Sequence, residues 1–115
     1  MRTPILKQRE YLIATFPPSP TEDDLRELQA ELGEKVGRFR SRGAVLDLSA
    51  VEMMDSFAVR TLRTLAEALR LRGVDTVIVG LGPEVAFDLV RLGLDLGPVP
   101  TALDLEDGLS YLGRM

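Results

Sequence analysis

Apolar residues along this chain occur either in short, nearly continuous runs or at intervals of three or four positions. The short runs mark candidate strands. Residues 10–16 and 44–48 are rich in β-branched and apolar side chains, as are residues 76–81. Such short runs, bounded by Gly, Pro or charged residues, are typical of strands that are at least half buried. A shorter apolar run covers residues 4–7, and residues 97–100 are expected to form a short edge strand at most.

Between these runs, apolar residues recur every three or four positions, which predicts helices with one buried face. Thr21 followed by Asp24 resembles a capping box with an acidic third position, so the first helix should begin there. Asp55 can cap a second helix over about 56–71. Gly73 then provides a residue type that commonly ends helices.

Two shorter helices complete the pattern. Gly82-Pro83 predicts a third helix start, because proline early in a helix loses no hydrogen bond. Gly93 should end this helix, and Val90 is expected among its inward-facing residues. Thr101 and Asp104 form a second Thr-x-x-Asp pattern and should cap a final helix.

The order of these elements predicts the fold class. Strand–helix alternation after residue 40 favours parallel pairing and right-handed crossovers in an α/β fold. Residues 4–16 can form an opening hairpin with its turn at Gln8-Arg9, although no Gly is present to favour it. We therefore expect a mixed, mostly parallel sheet of four to five strands with about four helices and an N-terminal antiparallel hairpin. A length of 115 residues suits a single domain over 1–115.

Composition removes several classes of function. The chain has no His and no Cys, which excludes a Ser-His-Asp triad, a His-based metal site and thiolate chemistry. Net charge is −4 without a long basic run, which argues against binding to nucleic acid or to a membrane surface. No apolar run approaches the ~18 residues of a membrane span, and the first ten residues lack a signal-peptide pattern. We therefore expect a cytoplasmic protein that needs no cofactor.

The most informative segment joins the second predicted strand to the second helix. Functional sites of open α/β sheets collect at the carboxyl ends of strands, where this segment lies. Ser56 falls at the helix start, where backbone N–H groups point outward. A phosphate there would add about −1.5 to −2 charges beside Asp55 and close to Glu52. Ser56 is therefore a candidate phosphorylation switch that could repel a docked partner.

Other interpretations of the same residues remain open at this point. Asp55 or Ser56 could simply cap the helix. Met53 and Met54 could form a contact surface or belong to the core. Asp47 with Asp55 could hold a metal ion in a small hydrolase, although the missing His and Cys disfavour an enzyme. The glycines at 80 and 82 are most simply a tight turn, and the arginines after residue 59 a solvated helix face.

Three segments together resemble a known family. The stretch VLDLSAVEMMDSFAVRTL resembles the signature of STAS domains, the sulfate transporter and anti-sigma factor antagonist family. The stretch TVIVGLGPEVAFDLVRLGLDL is similar to the next strand and helix of that family. The opening TPILKQREYLIATF and the closing TALDLEDGLSYL look closest to the RsbS type found in bacterial stressosomes.

The resemblance implies a non-enzymatic scaffold that assembles with RsbR-type STAS proteins and sequesters an RsbT-type switch kinase. It implies that the kinase phosphorylates Ser56 and is then released in the general stress response, and that a phosphatase reverses the mark. A stand-alone anti-anti-sigma factor that binds an anti-sigma kinase is the alternative. The expected partner-binding surface around Ser56 consists of Glu52, Met53, Met54, Asp55, Phe57 and Arg60.

Overall fold

A computed structural model describes residues 5–114 and contains nine helices and strands within that range. The predicted first run begins at residue 4, which lies outside the described residues. The strands are β1 (Ile5–Gln8), β2 (Tyr11–Thr15), β3 (Gly43–Asp47), β4 (Asp75–Val79) and β5 (Thr101–Ala102). The helices are α1 (Glu22–Phe39), α2 (Ser56–Leu71), α3 (Pro83–Arg91) and α4 (Leu105–Gly113).

All five strands lie in one sheet in the order β1-β2-β3-β4-β5. β1 and β2 are antiparallel, and every later pair is parallel. Gln8 pairs with Tyr11, so the hairpin turn is Arg9-Glu10, one residue later than predicted. Arg9 adopts φ 56°, the left-handed conformation that glycine usually provides in such turns. The mixed sheet with an N-terminal hairpin is therefore confirmed.

Helices cover both faces of the sheet. Because strand side chains alternate between the two sides, each central strand contributes to both interfaces. Leu12, Leu46 and Ile78 face α1 and α2 and lie in the larger core cluster. The alternate positions Val45 and Val77 pack instead with α4. α3 packs against α2 through a third cluster. None of the helices within residues 5–114 combines the length and apolar character that a membrane span requires.

Two predictions near the C-terminus are wrong. The last strand forms at Thr101–Ala102, not at residues 97–100. Prolines at 98 and 100 lack the N–H that a paired strand uses, so the strand starts only after them. Thr101 therefore belongs to β5 and does not cap α4. Asp104 alone provides the cap, accepting a hydrogen bond from the Asp107 N–H at 2.9 Å.

Candidate functional site

The loop between β3 and α2 lies at the carboxyl edge of the parallel strands, where we predicted the site. Its backbone is held from two sides. The Leu48 N–H donates to the Val79 carbonyl at 2.9 Å, and the Glu52 N–H donates to the Pro18 carbonyl at 2.8 Å. Val51 is buried within the loop. The start of α2 therefore has a defined position relative to β4 and to the proline-rich segment after β2.

Asp47 and Gly80 fix the neighbouring part of this loop. One Asp47 carboxylate oxygen accepts hydrogen bonds from the Ser49 N–H at 2.9 Å and the Ser49 hydroxyl at 2.7 Å. Gly80 has φ 75°, and a Cβ there would lie 2.9 Å from the Ser49 Cβ. This close approach requires glycine and brings the loops after β3 and β4 into contact. The predicted tight turn at Gly80 thus also positions the β3–α2 loop.

Asp55 caps α2, and Ser56 is left free at the first helical position. The Asp55 carboxylate accepts a hydrogen bond from the Ala58 N–H at 2.8 Å. The Ser56 side chain is exposed and makes no hydrogen bond within residues 5–114. The simple capping role therefore belongs to Asp55, and the Ser56 hydroxyl is accessible to an enzyme.

The surroundings of Ser56 divide into exposed and partly buried residues. Glu52 and Arg60 are exposed, and Met53 keeps 64% of its surface accessible. Met54 and Phe57 are half-buried and pack against the main core. The open question about the methionine pair is thus answered separately for each: Met53 lies on the surface, and Met54 contributes to packing.

Electrostatically, the start of α2 is unlike an ordinary helix start. Its first turn contains no acidic residue, whereas such residues usually offset the positive end of the helix dipole. Asp55 is the cap itself, and Glu52 lies three residues before it in the loop. No group of three or more potential metal-ligating side chains occurs in the part of the chain that the structure describes. Asp47 and Asp55 each use a carboxylate oxygen in the local hydrogen bonds described above.

A neighbouring apolar surface was not identified from the sequence. Val90, predicted to face inward, is 78% exposed, and Phe87 on the same helix is 73% exposed. α3 is only nine residues long and buries just Val85 and Leu89. Leu92 is also exposed and lines a shallow groove together with Met53. Helical spacing predicts an amphipathic α3. It does not reveal that only Val85 and Leu89 are buried while Val90 is exposed.

Comparison with known proteins gives similarity over most of the chain. The sequence model described as the STAS domain matches residues 20–108. RsbRA of Bacillus subtilis, an RsbT co-antagonist protein, is 32% identical over 74 residues, which cover 64% of this chain and 27% of RsbRA. The chain spans only about a quarter of the length of RsbRA and of the similarly matched RsbRD and RsbRB.

Solved structures extend the similarity to nearly the full length. Moorella thermoacetica RsbS, solved as a serine-to-glutamate variant, is 33% identical over 98% of both chains, with a TM-score of 0.81. A chain from a structure of the stressosome, described as a signal integration and transduction hub, is 34% identical over 96% of both chains, with a TM-score of 0.79. The anti-sigma factor antagonist SpoIIAA is 12% identical at a TM-score of 0.70, which shows a shared fold alone. The matched signature, the observed fold and these relatives agree: the chain belongs to the STAS domain family.

Proposed function

We propose that this protein is an RsbS-like scaffold of a stressosome, which binds an RsbT-type switch kinase and releases it when Ser56 is phosphorylated. The protein acts as a single, non-enzymatic STAS domain over 1–115 in the cytoplasm. It assembles with RsbR-type STAS proteins, and a phosphatase restores the unmodified serine. Full-length similarity to Moorella RsbS and to a stressosome chain supports this role.

The observation that carries the proposal is the state of Ser56. Its hydroxyl is exposed and unbonded because Asp55 already caps α2. A kinase can therefore modify Ser56 without breaking a hydrogen bond of the fold. The Moorella relative was solved with one serine replaced by glutamate and shares this fold, which is consistent with a charged group replacing a serine in such a domain.

Phosphorylation at this position changes the surface without requiring a change of fold. The phosphate adds about −1.5 to −2 charges at pH 7. The start of α2 accommodates them, because no acidic residue occupies its first turn and its N–H groups favour an anion. Glu52 and Met53 extend the surface that a kinase would cover. A kinase that docks there meets added bulk and charge, and Arg60 offsets only part of this charge.

Binding of an RsbT-type kinase tests this proposal. We expect Ser56→Asp to weaken binding at least tenfold, about 1.4 kcal/mol, and Ser56→Ala to retain it. Isothermal titration calorimetry measures both affinities. Ser110→Asp is the matched control, because Ser110 is an exposed serine on α4, across the sheet from α2. Equal kinase affinity for Ser56→Asp and Ser56→Ala would contradict the switch.

The alternative, a stand-alone anti-anti-sigma factor, differs in its assembly. The likeness to SpoIIAA is one of fold and carries no argument about partners. The stressosome role predicts a complex far larger than a dimer after mixing with an RsbR-type protein, as measured by size-exclusion chromatography with light scattering. A mixture that stays monomeric or dimeric at micromolar concentration would favour the alternative.

A further inference from the structure

A groove of about 410 Å³ lies between the β3–α2 loop and α3. Met53 lines it from the loop, and Leu92, at the end of α3, lines it from the helix. Both side chains are exposed, and the buried Val85 lies between them in the lining. Single exposed apolar side chains are common, but a group of them around a concave surface is typical of an interaction site.

The exposed apolar surface continues from this groove along α3. Phe87 and Val90 are three positions apart, which makes them neighbours on the helix, and Phe87 lies one turn before the groove residue Arg91. Four of the eight large apolar residues that are exposed within residues 5–114 therefore lie on α3, at its end or on the loop that faces it. We call these four residues the α3 surface: Met53, Phe87, Val90 and Leu92.

The charges in the groove are already matched to each other. Asp88 and Arg91 are the charged residues that line it, and they form an ion pair on α3. A partner therefore gains little by bringing a further charge into the groove. An apolar side chain is the occupant that these contacts favour, because it removes Met53 and Leu92 from water.

The groove has a fixed position relative to Ser56. Val59, on the first turn of α2, is buried against Val85 and Leu89 of α3. Met54 packs against both this cluster and the main core. A partner that holds the groove therefore also lies at a defined distance from the Ser56 hydroxyl.

The accessibility of Ser56 decides which partner can occupy the groove. Met53 belongs both to the groove and to the predicted surface around Ser56. A second copy of this chain, or another permanent neighbour in an assembly, would lie against Met53 and crowd the serine that has to be modified. A kinase that binds and leaves is the partner that must lie beside Ser56 in any case.

We propose that the α3 surface is a second part of the kinase-docking surface, and that an apolar side chain of the switch kinase enters the groove between Met53 and Leu92. This inference rests on the proposed function and adds α3 to the surface predicted from the sequence. The α3 surface supplies affinity through apolar contact, whereas the phosphate on Ser56 supplies the switch. Because the apolar contact is the same before and during phosphoryl transfer, losing it should raise KM and leave kcat unchanged.

Phosphorylation kinetics with an RsbT-type kinase test the α3 surface. Leu92→Ser should raise KM at least fivefold and keep kcat within twofold of the parent. Leu71→Ser is the matched control, because Leu71 and Leu92 are 74% and 66% exposed and Leu71 lies about 22 Å along α2 from Ser56. Leu71→Ser should change neither constant. Equal KM values for the two variants, or a fall in kcat with KM unchanged, would contradict the proposal.

Two further variants separate apolar contact from an effect on folding. Leu92→Met keeps an apolar side chain of similar volume and should retain the KM of the parent. Phe87→Ser changes an exposed side chain of α3 and should raise KM at least threefold. An increase in KM for Leu92→Met equal to that for Leu92→Ser, or no increase for Phe87→Ser, would overturn the proposal.

Two measurements distinguish this inference from the switch and from another occupant. Kinase affinity that falls with Leu92→Ser but not with Ser56→Asp would support the α3 surface and contradict the switch, and the reverse result would contradict the α3 surface alone. Light scattering after mixing with an RsbR-type protein tests assembly. A smaller complex for Leu92→Ser than for Leu71→Ser would assign the α3 surface to assembly and overturn the proposal.

Discussion

α1 and α2 begin with the same type of N-cap hydrogen bond, yet their first turns differ in charge and in further hydrogen bonds. In both, an extended residue accepts a hydrogen bond from the backbone N–H three positions later. At α1, Asp24 also accepts from the Thr21 N–H at 3.0 Å, which completes a capping box. At α2, the equivalent third position is the buried Ala58, and no such return bond exists.

The first turns of α1 and α2 also differ in their number of acidic residues. Glu22, Asp23 and Asp24 fill the first turn of α1, whereas α2 has no acidic residue there. α1 therefore satisfies its free N–H groups and its dipole with its own side chains. α2 satisfies one N–H with Asp55 and leaves Ser56 exposed. One helix start stabilises the fold, and the other leaves room for an added anion.

Removing the caps should give the largest difference between the two starts. Asp24→Ala should lower the free energy of unfolding by about 2 kcal/mol, because it breaks a charged hydrogen bond at a buried position. Asp55→Ala should cost about 1 kcal/mol, the usual value for a single cap. Urea unfolding measures both, and the exposed Glu27→Ala should stay within about 0.5 kcal/mol of the parent. A greater loss for Asp55→Ala than for Asp24→Ala would reverse the comparison.

Adding a negative charge at Ser56, the first residue of α2, should have a smaller effect on stability. Ser56→Glu should leave the free energy of unfolding unchanged or raise it by about 0.3–1 kcal/mol, because the carboxylate interacts favourably with the helix dipole. Glu22→Ser, at the same position of α1, should lower it by a similar amount. Thermal unfolding monitored by circular dichroism measures both changes. If Ser56→Glu lost more than about 1 kcal/mol, a phosphate would act by disturbing the fold, against the proposed switch.

The smallest effect should be a pH dependence at the start of α1. The Thr21 backbone N–H, bonded to the Asp24 carboxylate, lowers the pKa of Asp24 below its ordinary value. The stability from this bond is therefore fully present above the ordinary pKa and is lost as the pH falls through the lowered folded-state pKa. Between about pH 5 and about pH 2, Asp24→Asn should show a shallower loss of stability than the parent. Parallel curves for the two proteins would show that Asp24 contributes nothing to acid sensitivity.

The sequence predicted the start of α2 well because the signals there are local. Asp55 as a possible cap and the helix over residues 56–71 follow from spacing and capping chemistry. The sequence left open whether Ser56 itself was a cap, and the structure assigns that role to Asp55. The STAS resemblance, confirmed by the match over residues 20–108, supplied the family. Phosphorylation of Ser56 and the partner-binding surface around it stay predictions, since they depend on proteins outside this chain.

The predictions that were wrong concern features that depend on tertiary contacts. Val90 is exposed because α3 contacts only a small part of α2, a limit that helical spacing does not reveal. β5 forms at Thr101 because Ile78 and Val79 are available for pairing there. The sequence likewise did not reveal the groove of about 850 Å³ that Leu71, Val99 and Tyr111 line, since its walls come from α2, α4 and the segment before β5. Only the folded arrangement brings these residues together.

Mapping the phosphate is the most direct test of the Ser56 switch. The intact protein is incubated with an RsbT-type kinase and ATP, in the presence and absence of an RsbR-type partner, and the product is digested and sequenced by mass spectrometry. We expect one phosphate on Ser56 and none in the Ser56→Ala variant. Phosphate on another residue, or equal incorporation into Ser56→Ala, would contradict it.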